Sequence, residues 1–181
     1  MHQHSPLSIT HTNAHGVLSS RKRTEPIQCI VIHHTATKSP ERTISALRKQ
    51  GLSTHYEIDQ RGVIYQYLEH DRVAFHAGTR NGISIGIDLT HATGAAFPDV
   101  QIQALGALLK QLCAAHDIPL TAAPPKAQYY EWQKGANGKS QVHYLPLPVD
   151  AYGIYRHSNC GPTRCPDGAD VEAAIAYAKG G

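Results

Sequence analysis

Two runs of apolar, mostly β-branched residues constrain the fold of this chain more than any other feature. The runs "IQCIVIH" (27–33) and "ISIGIDLTH" (83–91) are too short for buried helices and are typical of strands covered on both faces. The segments "THYEID" (54–59) and "VIYQYLE" (63–69) flank a glycine-containing turn at residues 60–62. This arrangement predicts a β-hairpin.

Helical patterns separate and follow these strands. Ser39 is suited to cap a helix that starts with Pro40 and ends before Gly51. Residues 98–119 carry apolar side chains at helical spacing, and residues 169–179 predict a closing helix. Because strands and helices intersperse, we predict a single α/β domain with a central mixed β-sheet flanked by helices.

Two segments differ from this pattern. Residues 1–25 are polar and predict a flexible N-terminal arm, so the folded domain is expected at 26–181. Residues 121–155 combine prolines and "GANG" with large aromatic residues, and predict an excursion from the core as a loop or small hairpin. Its aromatic side chains either line a substrate groove or form a local core. They are Tyr129, Tyr130, Trp132, Tyr144, Tyr152 and Tyr155.

Composition excludes several classes of protein. The 41% of hydrophobic residues is ordinary for a globular domain. A net charge of +3 is too small to indicate a nucleic-acid partner, although it suits a polyanionic polymer such as that of a cell wall. No window has the length and apolarity of a membrane span, and the first residues lack the apolar core of a secretory signal. We therefore expect synthesis in the cytoplasm. We also expect a monomer.

A set of metal-ligand residues is the strongest chemical signal. His33 and His34 end the first buried strand, and strand alternation directs them to opposite faces. His157 and Cys165 lie in a loop rich in glycine, proline and hydroxyl residues. Imidazole and thiolate are the ligands that zinc prefers. His33, His157 and Cys165 would form a three-ligand zinc site with an open fourth position, as in catalytic zinc centres.

An acid embedded in the second buried strand is the candidate general base. Asp88 lies within "SIGIDL", where a carboxylate is costly to bury without a partner. One interpretation is a structural acid bonded to the backbone or to an arginine. The other is a general base that acts on a metal-bound water.

Five motifs occur in the order found in one known family. "IVIHHTA", "STHYEIDQRGVIYQYL", "RVAFHAG", "SIGIDL" and "RHSNCGPTRCPDG", from about residue 27 to 168, resemble the zinc-dependent type-2 N-acetylmuramoyl-L-alanine amidases. That group includes peptidoglycan recognition proteins and phage amidase lysozymes. The resemblance implies hydrolysis of the amide between N-acetylmuramic acid and L-alanine of the stem peptide, with a zinc-bound water as nucleophile. It also implies Zn²⁺ bound by His33, His157 and Cys165.

The resemblance also implies roles for residues outside the ligand set. Asp88 matches a catalytic glutamate of cell-wall recycling amidases and is one methylene shorter. Thr163 matches the group that hydrogen-bonds the developing oxyanion. His76 matches a histidine that forms a wall of the substrate groove. A tyrosine that active recognition proteins carry before the hairpin strand is absent, and His55 or Tyr56 would replace it as a substrate contact.

Two other functions fit the same residues. The first is a peptidoglycan-binding module without catalysis, although the presence of Cys165 argues against it. The second is a cysteine hydrolase with Cys165 or Cys160 as nucleophile and His157 as base. A disulfide between the two cysteines would consume a zinc ligand, so we predict that Cys160 stays free.

The setting has three alternatives on sequence alone. Without a signal peptide, the enzyme would recycle muropeptides in the cytoplasm, be released by phage lysis, or be delivered into the periplasm of a rival. The last two are lytic, antibacterial roles, and a delivered enzyme would have an immunity or inhibitor protein as partner.

Overall fold

The computed structural model describes residues 8–12, 18–92 and 95–180, and its main element is a six-stranded mixed sheet. The strands along the chain are β1 (Ile9–His11), β2 (Ser20–Lys22), β3 (Cys29–His34), β4 (Tyr56–Ile58), β5 (Ile64–Gln66), β6 (Arg72–Ala74), β7 (Ser84–Leu89), β8 (Tyr130–Lys134), β9 (Ser140–Tyr144) and β10 (Ile154–Arg156). The main sheet has the order β1-β5-β4-β7-β3-β10, in which only β4 and β5 are antiparallel. The predicted hairpin and both buried strands are confirmed.

In the described residues, four α-helices accompany the sheet, together with a 3₁₀ helix at Gly78–Ile83. They are α1 (Pro40–Gln50), α2 (Asp99–His116), α3 (His157–Cys160) and α4 (Val171–Gly180). Gly51 ends α1 in the left-handed region, with φ of 67°. Ser39 occupies the N-cap position as predicted, but its side chain makes no capping hydrogen bond. None of the helices in the described segments is long and apolar enough to cross a membrane.

Strand alternation divides the sheet into two different faces. The isoleucines of β3 and β7 point toward α2 and α4, where they form the main apolar core. Cys29 and Val31, which alternate with them along β3, belong to a second cluster on the other face. His33 continues that second series, so the predicted metal ligand emerges on the face that α2 and α4 leave free.

The described parts of the predicted arm belong to the folded domain. β1 pairs in parallel with β5, and β2 pairs with β6. Arg23 donates hydrogen bonds to backbone carbonyls of residues 70, 72, 82 and 84, which ties this segment to the sheet. The sequence did not predict these two strands, because backbone pairing at a sheet edge requires no apolar pattern of side chains. Residues 1–7 and 13–17 lie outside the described residues.

The excursion at 121–155 contains a two-stranded hairpin, β8–β9. Its root packs on the second core cluster through Tyr129 and Tyr152. Trp132 in the hairpin is 60% exposed. The aromatic residues of the excursion therefore divide between a local core at the root and an exposed strand surface.

Candidate functional site

Sheet register aligns three ionisable side chains across neighbouring strands. His33 of β3 lies beside Asp88 of β7, and Asp88 lies beside Glu57 of β4. All three are at most 7% exposed and share one face of the sheet. The strand pairing therefore places the predicted base directly beside the predicted metal ligand.

His33, His157 and Cys165 form a cluster although they come from distant parts of the chain. Each offers one ligand atom, and the three atoms lie within 4.8 Å of one another. His157 opens α3 immediately after β10, the strand that pairs with β3. The imidazole rings of His33 and His157 are 4.5 Å apart between centroids. Parallel pairing of β10 with β3 thus brings the two histidines together.

Cys165 is held in the cluster by backbone contacts. Its Sγ accepts a hydrogen bond from the His34 amide at 3.1 Å, and its own amide donates to Thr163 Oγ1 at 3.2 Å. The Ser158 amide donates to the Cys165 carbonyl at 2.7 Å, which ties the loop to α3. Cys160 is buried and free, as predicted, so no disulfide competes for Cys165.

Burial sets the protonation of these three side chains. Desolvation, reinforced by neighbouring histidines, lowers the pKa of both His33 and His157, so the imidazoles are neutral at pH 7. Burial raises the pKa of the Cys165 thiol to about 12, while the His34 amide acts in the opposite direction. A bound cation would favour the thiolate, the form in which cysteine binds metal.

A cavity of about 270 Å³ opens over this cluster, and we call it the site cavity. One wall is α1, which contributes Leu47 among others. His76 and Asp88 line the cavity together with the three clustered residues. A carboxyl group and a candidate metal centre therefore face the same space.

Asp88 and the neighbouring Glu57 have different surroundings. Glu57 accepts hydrogen bonds from the hydroxyls of Thr43 and Tyr67 at 2.8 and 2.6 Å, and also from Thr90. Burial, followed by the charge of Glu57, raises the pKa of Asp88 well above its usual range. Glu57 is thus held by a network of hydroxyls, whereas Asp88 faces the cavity. The sequence reasoning missed Glu57, although its place between apolar Tyr56 and Ile58 could have indicated it.

His76 packs over a glycine of β7. A Cβ on Gly86 would lie 2.8 Å from Cγ of the His76 ring, so only glycine fits beneath it. His76 also lies 2.9 Å from His33 between Nδ1 and Nε2. The structure therefore places His76 both at the wall of the site cavity and against the predicted ligand.

His55 and Tyr56 do not reach the site cavity. His55 is completely buried, and its Nδ1 accepts a hydrogen bond from the Gly86 amide at 3.0 Å. Tyr56 projects from the opposite face, and its hydroxyl lies 2.7 Å from Nε2 of His70. Adjacent strand residues face opposite sides, and here one is enclosed by backbone while the other belongs to the main core. We no longer assign substrate contact to either residue.

Thr163 and His34 occupy the edge of the site. Thr163 is partly exposed and is absent from the cavity lining, although it lies two residues from Cys165. His34 lines the cavity rim outside the ligand cluster, with its ring 5.7 Å from that of His91. Its backbone, rather than its side chain, contacts Cys165.

Comparison with known proteins identifies the family. Residues 23–168 match the family described as N-acetylmuramoyl-L-alanine amidase. That match spans most of the chain, which therefore belongs to this family and is a peptidoglycan amidase. The resemblance inferred from the five motifs is confirmed. No curated protein matches the chain.

Solved structures with the same fold come from several sources. N-acetylmuramoyl-L-alanine amidase LysC from Clostridium intestinale URNW is 20% identical at a TM-score of 0.65, covering 95% of this chain and 97% of its own. The Ph2119 endolysin from Thermus scotoductus MAT2119 bacteriophage Ph2119 is 20% identical at a TM-score of 0.64, and the match covers 94% of this chain and 99% of the endolysin chain. The hydrolase AmiA from Staphylococcus aureus is 12% identical at a TM-score of 0.65, and the match covers 95% of this chain and 82% of the AmiA chain. These similarities confirm the predicted fold class.

Proposed function

We propose that this amidase is zinc-dependent and cleaves the bond between N-acetylmuramic acid and L-alanine of the stem peptide. The single observation that carries the proposal is the convergence of His33, His157 and Cys165 on one point beside Asp88. The three donors belong to distant segments, and they meet at the wall of a cavity. Such an arrangement suits a reaction centre better than a structural cross-link.

The donor set fits Zn²⁺. Two neutral imidazoles and one cysteine offer the nitrogen and sulfur ligands that zinc prefers, and three protein ligands leave a position for water or substrate. When bound, the ion would polarise the scissile carbonyl and lower the pKa of water toward about 7. The lowered pKa values of His33 and His157 agree with this fit, because neither histidine needs to lose a proton before it binds the ion.

The proposed proton transfers use Asp88. Its carboxylate form would accept the proton of the attacking water, and the resulting carboxylic acid would later deliver that proton to the leaving amine. The raised pKa of Asp88 suits the second step, because it favours the form that holds a proton. Thr163 remains a proposed hydrogen-bond donor to the oxyanion. Its Oγ1 accepts a hydrogen bond from the Cys165 amide, and the hydroxyl proton stays available for donation.

A cysteine hydrolase is disfavoured by the environment of the thiol. A nucleophilic cysteine requires a lowered pKa, whereas burial raises the pKa of Cys165 to about 12. Within the described part of the chain, its Sγ hydrogen-bonds to the backbone of His34 and makes no hydrogen bond to an imidazole that could act as its base. The sulfur is better suited to bind a metal than to attack a carbonyl.

We further propose that the β8–β9 hairpin binds the glycan strand of a polymeric substrate. Antiparallel pairing places Tyr130, Trp132, Val142 and Tyr144 on one surface of the hairpin. This surface carries the most exposed aromatic side chain of the excursion, Trp132. Flat aromatic rings with a polar edge suit the apolar faces of sugars.

The root of the hairpin connects this surface to the site. Arg80, four residues after His76, donates hydrogen bonds to the carbonyls of Tyr129 and Leu145. Asn159, two residues after the ligand His157, donates to the carbonyl of Ala127 at 2.7 Å. Both segments that bear site residues therefore support the hairpin, which favours intact cell wall over small soluble fragments as substrate.

Metal content and product analysis test the proposal. We expect one zinc per chain, with chelator-sensitive release of stem peptides from sacculi. His33→Ala should abolish zinc binding. His34→Ala is the matched control that should retain it, because His34 lies outside the ligand cluster and its hydrogen bonds to Cys165 use the backbone, which the substitution keeps. Binding of sacculi without release would instead identify a recognition module, and metal-free activity blocked by thiol alkylation would identify a cysteine enzyme.

The biological setting is part of the proposal. Preference for intact sacculi would support a lytic role after phage lysis or delivery to the periplasm, with an inhibitor protein in the second case. Preference for soluble muropeptides would support recycling in the cytoplasm. We also propose a monomer, which light scattering after gel filtration tests directly.

A further inference from the structure

A chain of three hydrogen bonds links His33 to the backbone of the 3₁₀ helix. His33 Nε2 lies 2.9 Å from His76 Nδ1, and His76 Nε2 lies 3.1 Å from Ser84 Oγ. Ser84 Oγ in turn donates to the carbonyl oxygen of Arg80 at 2.8 Å. A carbonyl oxygen only accepts, so the single hydroxyl proton of Ser84 is committed to this bond.

The direction of the other two bonds follows from that commitment. Ser84 Oγ can only accept from His76, which places the His76 proton on Nε2. A neutral imidazole protonated at Nε2 has a lone pair at Nδ1, so His76 accepts the proton of His33 Nε2. His33 is then left with its lone pair on Nδ1.

We propose that His76 and Ser84 are positioning residues that hold His33 in its Nε2–H tautomer, so that Nδ1 is the atom offered to the metal. The inference rests on the proposed function, because it takes Zn²⁺ as that metal. Metal-bound histidines commonly donate their second ring N–H to an acceptor that fixes the tautomer. Here the acceptor is a second histidine, whose own tautomer is fixed by a serine.

The surroundings of His76 keep this chain rigid. Asn81 Oδ1 accepts the backbone amides of His76 and Ala77 at 3.0 and 2.7 Å. Gly86 supports the ring from below, and Ser84 is completely buried. The ring is therefore held at its backbone, at its face and at both of its nitrogens, which leaves it one orientation toward His33.

Imidazole tautomers in the metal-free protein provide the direct test. In long-range ¹H–¹⁵N spectra of protein labelled at histidine, we expect His33 and His76 both to carry their proton on Nε2. Signals are assigned from their loss in His33→Ala and His76→Asn. Ser84→Ala should convert His76 to a mixture of tautomers. A wild-type His33 protonated on Nδ1, or a His76 signal unchanged by Ser84→Ala, would overturn the inference.

Zinc affinity provides a second readout. His76→Phe keeps a ring over Gly86 and removes the acceptor, so we expect the Kd for Zn²⁺ to rise about 10- to 100-fold. His76→Asn is the matched variant, because its Oδ1 can replace Nδ1 as acceptor and should restore most of the affinity. Equal affinities for His76→Phe and the wild type would contradict the inference. Ser84→Ala should also raise the Kd for Zn²⁺. It replaces His76→Phe as the test if that variant does not fold.

The two proposals fail in different ways. A wild-type protein that binds no zinc would refute the proposed function, while the tautomers of the metal-free protein would still report on the hydrogen-bond chain. Conversely, normal zinc binding with a His33 tautomer independent of Ser84 would refute only the role of His76 and Ser84.

Discussion

Replacing Gly86 with alanine tests whether the packing beneath His76 holds the site together. The added Cβ would lie 2.8 Å from Cγ, 2.9 Å from Nδ1 and 3.0 Å from Cδ2 of the His76 ring. An ordinary contact begins at 3.4 Å, so the ring would have to retreat by about 0.6 Å. The strand itself has little room to move, because β7 is hydrogen-bonded to β3 on one side and β4 on the other.

The expected effect on stability is moderate. Overpacking of a well-packed interior costs about 1–3 kcal/mol. Reduced freedom of the unfolded chain offsets about 0.4–1 kcal/mol of this cost. The midpoints of these ranges leave a net loss of about 1.3 kcal/mol in the free energy of unfolding, which for a chain of this size lowers Tm by about 3–5 °C.

The same displacement should weaken metal binding. The His33–His76 hydrogen bond is 2.9 Å long, and a retreat of about 0.6 Å directed away from His33 would stretch it to about 3.5 Å, beyond a normal bond. We expect a weaker affinity for Zn²⁺ together with the lower Tm.

Thermal unfolding of the metal-free protein and a zinc titration measure the two effects. Gly180→Ala is the control, because a Cβ at that position meets no atom within 4 Å. Its Tm and zinc affinity should match those of the wild type. If Gly86→Ala also matched the wild type in both measurements, the inferred tight packing of His76 on β7 would be refuted.

Three further predictions concern the proposed chemistry. At pH 7, zinc binding should release at least one proton, because the Cys165 thiol with its pKa of about 12 must ionise while the lowered pKa values of His33 and His157 leave both imidazoles neutral; calorimetry in buffers of different ionisation enthalpy measures it, and zero proton release would exclude the thiol as ligand. Asp88→Asn should lower kcat about 10²- to 10⁴-fold with zinc content unchanged; a variant with wild-type kcat would remove Asp88 from the mechanism. Trp132→Ala should raise KM for sacculi and leave KM for soluble muropeptides unaltered; an equal change for both substrates would contradict a glycan contact at the hairpin.

Local sequence patterns were sufficient for most of the fold. The apolar runs of β3 and β7 and the turn between β4 and β5 are encoded by neighbouring residues, and the structure confirms them. β1 and β2 were missed because their pairing uses backbone groups, which polar side chains do not reveal. The hairpin at 130–144 was expected only as one of two possibilities, since its strands lack an apolar face.

The candidate site was only partly predictable for a similar reason. The chemistry of His33, His157 and Cys165 suggested a ligand set, but the order of strands brings them together. Glu57 was not recognised, because its place beside Asp88 depends on the register between β4 and β7. His55 and Tyr56 were assigned from their place in the chain, whereas burial removes both from the cavity.

The sequence by itself determined the apolar strands β3 and β7, the β4–β5 hairpin and the helices α1, α2 and α4, and which residue types are available for metal binding and proton transfer. These properties depend on short-range periodicity and on side-chain chemistry. Only the tertiary structure decided which of the two adjacent histidines joins the ligand cluster, that Asp88 lines the site cavity while Glu57 is held by hydroxyl groups, and which nitrogen of His33 remains free. Those outcomes depend on register and packing between residues far apart in the chain, such as His76 on Gly86 and the Cys165 sulfur on the His34 amide.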